Sequence, residues 1–413
     1  KYLAEHKFKT PDQFAYLKHH STQTCLHRLL DDILENINEH EKTALCFLDI
    51  KKCFDTIDHR ILLFKLQKYG IRDRELNWFK SYLSNRSQIV VNNNKKSKTC
   101  FLNIGVPQGT VLGPILFLIF VNDLSNCIRN AHINIYADDV VIYSSHSSID
   151  ELEKVMQQNL TDVYKWYKSN RLVLSTEKCS TMVIDNNLNN VIEKFNLYLD
   201  YELLQKVSHM KYLGLTIDDK LKWQAHLPNV SKKININNAR LRRCRKILPK
   251  TLRIKYHNSL SVPSIDYAAT VWGTFSQSIV DSINRLEHMS ARAITGNYDF
   301  INTRGSSLMH ELGLIDFLHR NNYQKSILMF KSIHGLVPDY LENNILFSYE
   351  VSRRDLRSYD NMNLYIPKPN VEVFRKSLQY SGAMLWNDMP LYVKNAKSVP
   401  DFKCKYKKEY FHK

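Results

Sequence analysis

The chain has 413 residues, of which 44% are hydrophobic and 24% charged, and its formal net charge at pH 7 is +17. This composition is that of a globular protein with a real core, and the length predicts two to four subdomains rather than one. The positive charge favours nucleic acid as a partner, and no apolar run is long enough to indicate a membrane span. The eight cysteines include no C-x-x-C pair, which argues against a zinc site or a disulfide framework.

The first elements are a helix and a buried strand. Leu26, Leu29 and Ile33 recur at helical spacing and predict a helix that ends before residue 40. Residues 43–50 form a nearly continuous apolar run, which predicts a central strand. Asp49 lies near the end of this strand, where a carboxylate is costly unless it caps a turn or binds a cation.

A helical region with a small sheet follows. Helices are predicted from Asp58 to near Gly70 and from Asp73 to Leu83. Strands are expected around residues 88–91 and up to residue 104, and a polar, basic turn joins them.

Residues 105–114, G-V-P-Q-G-T-V-L-G-P, form a predicted loop that leads into an apolar helix over residues 115–124. Its three glycines allow the backbone to approach a ligand closely, and the N-terminus of the following helix favours an anion. A purely structural turn is the alternative. The spacing matches neither a Walker loop nor a dinucleotide fingerprint.

Two adjacent carboxylates, Asp138 and Asp139, occupy the turn of a hairpin predicted over residues 133–145. Their mutual repulsion and desolvation cost free energy, which is reduced if the turn is simply solvated or if a cation compensates the charges. If this hairpin and the strand before Asp49 pair in one sheet, the three carboxylates converge and can hold two Mg²⁺ ions. That arrangement suits in-line nucleotidyl transfer to a 3′-hydroxyl.

The second half of the chain is basic and then helical. An amphipathic helix is predicted over residues 148–168, and strands flank the turn that contains Lys178. Residues 220–265 contain no Asp or Glu and many Lys and Arg, which favours contact with a phosphate backbone over a merely solvated face. The remainder is predicted to be mainly helical, and its sequence indicates no particular chemistry.

The order of these motifs resembles motifs A to E of reverse transcriptases. The matching segments are Asp49-x-x-x-x-Phe54, the G-V-P-Q-G loop, Y-A-D-D at residues 136–139, Lys178 and Y-L-G at residues 212–214. F-L-D-I-K-K-C-F-D-T-I-D-H, G-V-P-Q-G-T-V-L-G-P-I-L-F-L-I-F-V-N-D-L, the opening Q-F-A-Y-L-K-H-H-S-T and the C-terminal L-W-N-D-M-P look more narrowly like jockey-related, non-LTR (LINE-type) retrotransposon polymerases. The resemblance extends over essentially the whole chain.

The resemblance implies an α+β, right-hand polymerase fold. Residues 1–225 would be fingers and palm with an antiparallel sheet, residues 226–300 a basic helical thumb, and residues 301–413 a mostly helical C-terminal extension. A complete element of this type carries an endonuclease upstream, so the chain, which opens at Lys1, is expected to be a fragment.

The resemblance also implies roles at matching positions. Asp49, Asp138 and Asp139 would be the catalytic, metal-binding carboxylates. The remaining expected site residues are Phe54 as steric gate, Gln108 and Gly109 at the nucleotide and template, Lys178 at the triphosphate, the primer grip Tyr212, Leu213 and Gly214, and the nucleic-acid contacts Lys232, Lys233, Arg240, Arg243 and Lys246. One departure is visible, because Leu17 stands where the opening motif usually has arginine, unless Lys18 substitutes for it.

The implied function is RNA-directed DNA polymerisation with Mg²⁺ or Mn²⁺, an RNA template, a DNA primer and dNTPs, in the nucleus and without a membrane. A bulky Phe54 would clash with a ribose 2′-hydroxyl and so favour deoxynucleotides. The alternative is an inactive or domesticated remnant that binds nucleic acid without polymerising. A group II intron-type or telomerase-type reverse transcriptase is a weaker possibility, which the C-terminal motifs oppose.

Overall fold

The structure, a computed structural model, describes residues 10–185, 194–351 and 362–411. The described residues form two compact units. The first contains residues up to Ser21 and those from Glu41 to Val207, and the second contains Thr22 to His40 and the chain from Ser208 onward. The boundary between the two units falls between residues 207 and 208. The assignment of fingers, palm, thumb and C-terminal extension stays a prediction.

The helices and strands cover most of the described chain. In chain order the helices are α1 (Thr22–Asn38), α2 (His59–Lys68), α3 (Asp73–Leu83), α4 (Leu112–Val121), α5 (Ile149–Ser169), α6 (Leu227–Cys244), α7 (Lys250–Tyr256), α8 (Val262–Asp266), α9 (Ala269–Trp272), α10 (Gln277–Thr295), α11 (Gly305–Glu311), α12 (Phe317–Ile333), α13 (Asp339–Asn343), α14 (Ser348–Val351), α15 (Leu378–Asn387), α16 (Leu391–Lys394) and α17 (Val399–Tyr410). The strands are β1 (Lys42–Leu48), β2 (Arg86–Gln88), β3 (Val91–Asn92), β4 (Lys95–Lys96), β5 (Cys100–Leu102), β6 (His132–Tyr136), β7 (Asp139–His146), β8 (Ser180–Ile184), β9 (Tyr198–Leu199), β10 (Glu202–Leu203), β11 (Gln205–Lys206), β12 (His209–Tyr212) and β13 (Leu215–Asp218).

The first unit is built on a five-stranded sheet in the order β11-β8-β1-β7-β6. The strand β1 is central, runs antiparallel to both β7 and β8, and is buried along nearly its whole length. Residues from α4 and α5 join the core of this unit. The predicted central strand and the predicted hairpin, β6 and β7, are both confirmed. A continuous apolar run suits β1 because it is covered on both faces.

The helix predicted over residues 115–124 is shifted in the structure. It is α4, which begins at Leu112 and ends at Val121, and a 3₁₀ turn over Leu124–Cys127 follows it. The hydroxyl of Thr110 accepts a hydrogen bond from the N–H of Gly113 at 3.1 Å. Pro114 then falls in the first turn of the helix, where a missing N–H costs nothing. The helix therefore starts inside the segment that the sequence indicates as loop.

The second unit is mainly helical, as predicted for the described C-terminal residues. One part of its core lies among α6, α10 and α11, and another among α12, α15 and α17. Helix α1 is built into this unit. The carboxylate of Asp31 accepts a hydrogen bond from the N–H of Leu378 at 3.0 Å, and the side-chain oxygen of Asn38 accepts one from Asn370 at 2.7 Å. No helix among the described residues is both long and apolar enough to cross a lipid bilayer.

Candidate active site

The carboxylates of Asp49 and Asp139 lie at one end of the central sheet of the first unit. Leu48 pairs with Val140 in the antiparallel register of β1 and β7, so the next residue along β1, Asp49, comes beside Asp139. Burial, and then the negative charges of Asp138 and Asp49, raise the pKa of Asp139. Asp49 and Asp139 are therefore neighbours, and Asp138 is close enough for its charge to act on Asp139.

The turn that carries Asp138 has an unusual backbone conformation. Ala137, the residue before it, has a φ of 54°, a left-handed conformation that residues other than glycine rarely adopt. The side-chain oxygen of the buried Gln13 accepts hydrogen bonds from the N–H of Ala137 at 3.3 Å and from that of Ala15 at 2.8 Å. The N–H of Phe14 donates to the carbonyl of Ile135, and the N–H of Ile135 donates to that of Asp12, which ties the same segment to β6. Gln13 therefore holds the turn in place from the neighbouring segment.

A thiol contacts the carboxylate on the other side of the turn. The side chain of Cys53 donates a hydrogen bond to Asp138, and burial followed by the charge of Asp138 raises the pKa of Cys53 to about 12. A thiol with so high a pKa stays protonated and acts as a hydrogen-bond donor rather than as a nucleophile. Cys53 thus helps to orient Asp138.

Lys178 lies beside Asp49 at the start of β8. The N–H of Ser175 donates to the carbonyl of Asp49 at 2.8 Å, which anchors the turn that carries Lys178. The Nζ of Lys178 is 3.3 Å from Oδ2 of Asp49, and the lysine side chain is 70% exposed. An ion pair this exposed is weak, so the ammonium group can readily be displaced from Asp49.

The G-V-P-Q-G loop docks against the segment that follows Asp49. The N–H of Val106 donates to the carbonyl of Phe54 at 2.8 Å, and the side-chain amide of Gln108 donates to Asp55 at 2.8 Å. Gly105 has a φ of 84°, and a Cβ there would lie 2.8 Å from the carbonyl oxygen of Asp55. Only glycine fits this close backbone approach.

Phe54 is half-buried, and its ring lies 4.8 Å, centroid to centroid, from that of Phe117 on α4. The bond from Val106 fixes its backbone, and Phe117 limits its side chain. Gln108 and Gly109 remain exposed on the same loop. The predicted gate and nucleotide contacts are therefore neighbours in the structure.

The donor set fits a hard divalent cation, since it consists of carboxylate oxygens and the Lys178 ammonium already stands in as a positive charge beside Asp49. Among the residues that the structure describes, however, no three His, Cys, Asp or Glu side chains converge closely enough to hold a metal by themselves. Mg²⁺ is often bound by one or two protein carboxylates together with substrate phosphates and water. The residues therefore fit an ion shared with a bound triphosphate better than a pre-formed protein cage.

The predicted primer grip lies in the second unit, at the tight turn between β12 and β13. Leu213 and Gly214 have φ values of 43° and 83°. The hydroxyl of Tyr267 donates a hydrogen bond to the carbonyl of Leu213 at 2.8 Å, and its ring lies against Gly214. Tyr212, by contrast, is buried and is not available to a ligand in this conformation.

The predicted nucleic-acid contacts are exposed residues of the second unit. Lys232, Lys233, Arg240 and Arg243 lie on α6, and Lys246 follows its end. At about 100° per residue the four helical cations fall within an arc of about 100°. They form one basic face, and the sequence around it contains no acidic residue that could compensate its positive charge.

Sequence reasoning does not find three residues that support these sites, Gln13, Cys53 and Tyr267. Gln13 belongs to the Q-F-A-Y opening, but nothing in its spacing indicates a contact with the hairpin turn. In that opening Leu17 is half-buried and Lys18 is exposed, and a contact between Lys18 and a nucleotide stays a prediction.

Residues 1–217 match the family described as "Reverse transcriptase (RNA-dependent DNA polymerase)". The chain is 29% identical over 335 residues to a protein of Drosophila melanogaster named "Probable RNA-directed DNA polymerase from transposon BS", covering 76% of this chain and 35% of that protein. It is 26% identical over 304 residues to "RNA-directed DNA polymerase from mobile element jockey" of Drosophila funebris, covering 71% of this chain and 32% of that protein.

The chain spans about a third of the length of these curated relatives. Among solved structures it is similar to apo telomerase from Candida tropicalis, with a TM-score of 0.39 and 12% sequence identity over 76% of this chain and 52% of that one. A similarity this low adds nothing to the interpretation of the site.

Proposed function

Because the chain belongs to the reverse transcriptase family, as its motifs predict, we propose that it is an RNA-directed DNA polymerase. It would add deoxynucleotides to the 3′-hydroxyl of a DNA primer on an RNA template. The relatives named for this activity come from transposable elements. We propose the same origin for this chain and infer that it acts in the nucleus.

One observation carries the proposal. Asp49 at the end of β1 and the Asp138–Asp139 pair at the β6–β7 turn lie at the same end of a buried sheet. Such a sheet holds its carboxylates with little freedom, and pre-organised charge of this kind is the main contribution of a protein to nucleotidyl transfer.

Reverse transcriptases generally depend on a divalent metal, and we infer that Asp49, Asp138 and Asp139 hold it here as Mg²⁺ or Mn²⁺. When bound, the ions would compensate phosphate charge and favour the nucleophilic form of the primer hydroxyl. Gln13 and Cys53 would keep the Asp138 turn in position, and the exposed Lys178 would turn from Asp49 toward a triphosphate.

Sugar selection would come from Phe54. Its contact with Phe117 and the backbone bond from Val106 keep the ring from moving aside, so a 2′-hydroxyl would meet a fixed obstacle. Gln108, held by Asp55, and the exposed backbone at Gly109 would contact the incoming nucleotide and the template.

The nucleic acid would be bound in part by the second unit. The turn at Leu213 and Gly214 would contact the primer, and the basic face of α6 would contact phosphates, whose neutralisation makes binding salt-dependent. The positive charge of the α6 face supports a polyanionic partner.

The test is primer extension on poly(rA)–oligo(dT) with Mg²⁺, with wild-type protein compared with Asp138→Asn/Asp139→Asn. These changes keep side-chain shape and remove charge. A matched control is Asp150→Asn/Glu151→Gln, a pair of acidic residues in the first turn of α5. Synthesis that the control retains and the site variant loses supports the polymerase.

A binding remnant is the second candidate, since Leu17 replaces the usual arginine of the opening motif. Equal absence of synthesis in wild type and variant, from folded proteins that bind RNA, would favour it and contradict the proposed activity.

A further inference from the structure

The loop between α10 and α11, residues 296–304, presents two apolar side chains to solvent. Phe300 is 63% exposed and Ile301 is 94% exposed. Single exposed apolar side chains are common on protein surfaces. In this loop the backbone is also held by hydrogen bonds from Arg292.

Arg292 on α10 is buried, and its guanidinium group organises the loop. It donates hydrogen bonds to the carbonyls of Asn297 at 3.3 Å, Asp299 at 3.0 Å and Thr303 at 2.7 Å. The same group lies 4.2 Å from the centroid of the Phe300 ring. One face of the ring therefore rests on a fixed cation, and much of the ring remains accessible.

The loop adjoins the basic surface of the second unit. Arg245, just past the end of α6, donates a hydrogen bond to the carbonyl of Gly296 at 3.1 Å. Arg242, three positions before Arg245 and on the same side of the helix, and Lys246 are exposed, and residues 220–265 contain no carboxylate to compensate them. The acidic residue of the loop, Asp299, is bonded by the backbone N–H groups of Ile301 and Asn302 and by the Asn302 amide. Its charge is thus partly satisfied within the loop.

We propose that Phe300 is a stacking platform for an unpaired nucleobase of single-stranded nucleic acid, with the phosphates of the same strand bound by Arg242 and Lys246. An exposed ring face together with exposed cations is the combination that single-strand binding requires, because any base can stack and the phosphates need positive charge. The aliphatic Ile301 beside it would cover the edge of the stacked base. A duplex offers no free base face and would use only the cations.

This inference rests on the proposed function and specifies how its nucleic-acid partner is bound, and its test requires no catalysis. Binding of the full chain to fluorescein-labelled oligouridylate is measured by anisotropy in EDTA, without dNTP, across a salt series. The variants are Phe300→Ala, Phe300→Leu and Phe300→Tyr. Tyr392→Ala is the matched control, since Tyr392 is another exposed ring of this unit and bonds Glu409.

Loss of the ring should weaken binding about fivefold or more, because stacking on an aromatic side chain contributes about that much per base. Phe300→Leu should lose most of this affinity and Phe300→Tyr should retain it. The salt dependence should stay unchanged in all three variants. Arg242→Ala/Lys246→Ala should instead reduce the slope of log K against log salt by about 1.4.

Two further arms keep the test decisive. Oligodeoxyuridylate distinguishes RNA from DNA as the strand, and a 2-aminopurine in either oligonucleotide reports stacking by a fluorescence change that Phe300→Ala abolishes. Equal affinity of Phe300→Ala and wild type would overturn the proposal, as would an equal loss for single-stranded and duplex RNA. Absent polymerisation would leave this result intact, since the assay involves no synthesis.

Discussion

The side-chain oxygen of Gln13 lies 3.3 Å from the backbone nitrogen of Ala137 and accepts its hydrogen bond. Gln13 is therefore joined to the residue that precedes Asp138, although the two are 124 positions apart. Since Ala137 has a left-handed backbone, the turn costs free energy that such contacts must offset.

Replacing Gln13 should impair catalysis in a protein that still folds. Gln13→Met removes the acceptor but keeps the volume, and we expect kcat to fall about ten- to a hundredfold because the carboxylate is misplaced. The unfolding free energy should fall by about 1–3 kcal/mol, because the buried N–H groups of Ala15 and Ala137 lose their acceptor. Gln157→Met is the control, since that amide accepts from Tyr198 at 2.8 Å in the same unit, away from the turn. An unchanged kcat in Gln13→Met would show that the turn holds itself.

Opening the space at Phe54 should admit ribonucleotides. Phe54→Val removes the ring that Phe117 supports, so the ratio of kcat/KM for dNTP over rNTP should fall about ten- to a hundredfold. Steady-state incorporation of each nucleotide measures this ratio. Phe101→Val, at an exposed ring of β5, should leave it unchanged. Retained discrimination in Phe54→Val would place the selectivity elsewhere.

Metal binding should depend on nucleotide and should compete with Lys178. Because no three side chains of the described residues form a complete metal site, Tb³⁺ should bind weakly to the free protein and more tightly with dNTP. Lys178→Met should raise the affinity of the free protein up to about fivefold, since it removes the ammonium that pairs with Asp49. Sensitised Tb³⁺ luminescence measures both effects, and Asp49→Asn should abolish them. Tight binding without nucleotide would contradict the shared-ion interpretation.

Removing the hydroxyl of Tyr267 should weaken primer binding. Tyr267→Phe loses the 2.8 Å bond to the carbonyl of Leu213 and keeps the ring against Gly214. We expect KM for primer–template to rise severalfold, while the unfolding free energy falls by about 1 kcal/mol. Tyr365→Phe, at a half-exposed tyrosine of the same unit, is the control. No change in KM would argue against a role of this turn in primer binding.

The stability of the second unit should carry the signature of a buried lysine. Burial lowers the pKa of Lys325 to about 8, with the charge of Asp31 opposing the shift and that of Lys376 adding to it. Since the unfolded pKa is about 10.4, the folded state binds fewer protons, and the cost is full below about pH 8 and fades toward pH 10.4. Wild type should gain on the order of 2–3 kcal/mol relative to Lys325→Met between pH 7 and pH 10.

Urea unfolding at both pH values measures the difference between wild type and Lys325→Met, so the titration of cysteines and tyrosines cancels. Ser381 still donates to the carbonyl of Ser377 in the variant, so no buried hydroxyl loses its acceptor. A constant difference between the two proteins across this pH range would show that Lys325 stays protonated in the folded state.

The sequence predicts what depends on local pattern. The alternation around Asp138 and the apolar run before Asp49 yield the hairpin and the central strand, and Asp58 correctly marks the start of α2, whose first N–H groups it caps. The pairing of Asp49 with Asp139 required only that these strands be neighbours. By contrast, the contacts of Gln13 and Tyr267 depend on where distant segments meet, which no periodicity encodes. The sequence does not predict the start of α4, because the Thr110 hydroxyl stabilises a first helical turn that Gly113 and Pro114 otherwise disfavour.

Helix α1 shows how the order of synthesis bears on this architecture. Its Asn38 is bonded to Asn370, which is synthesised 332 residues later. At about 5–20 residues per second, the interval is roughly 15 to 70 s, during which the apolar side of α1 lacks its final partners. A recombinant fragment that ends with the matched family region at residue 217 would lack these partners of α1 permanently.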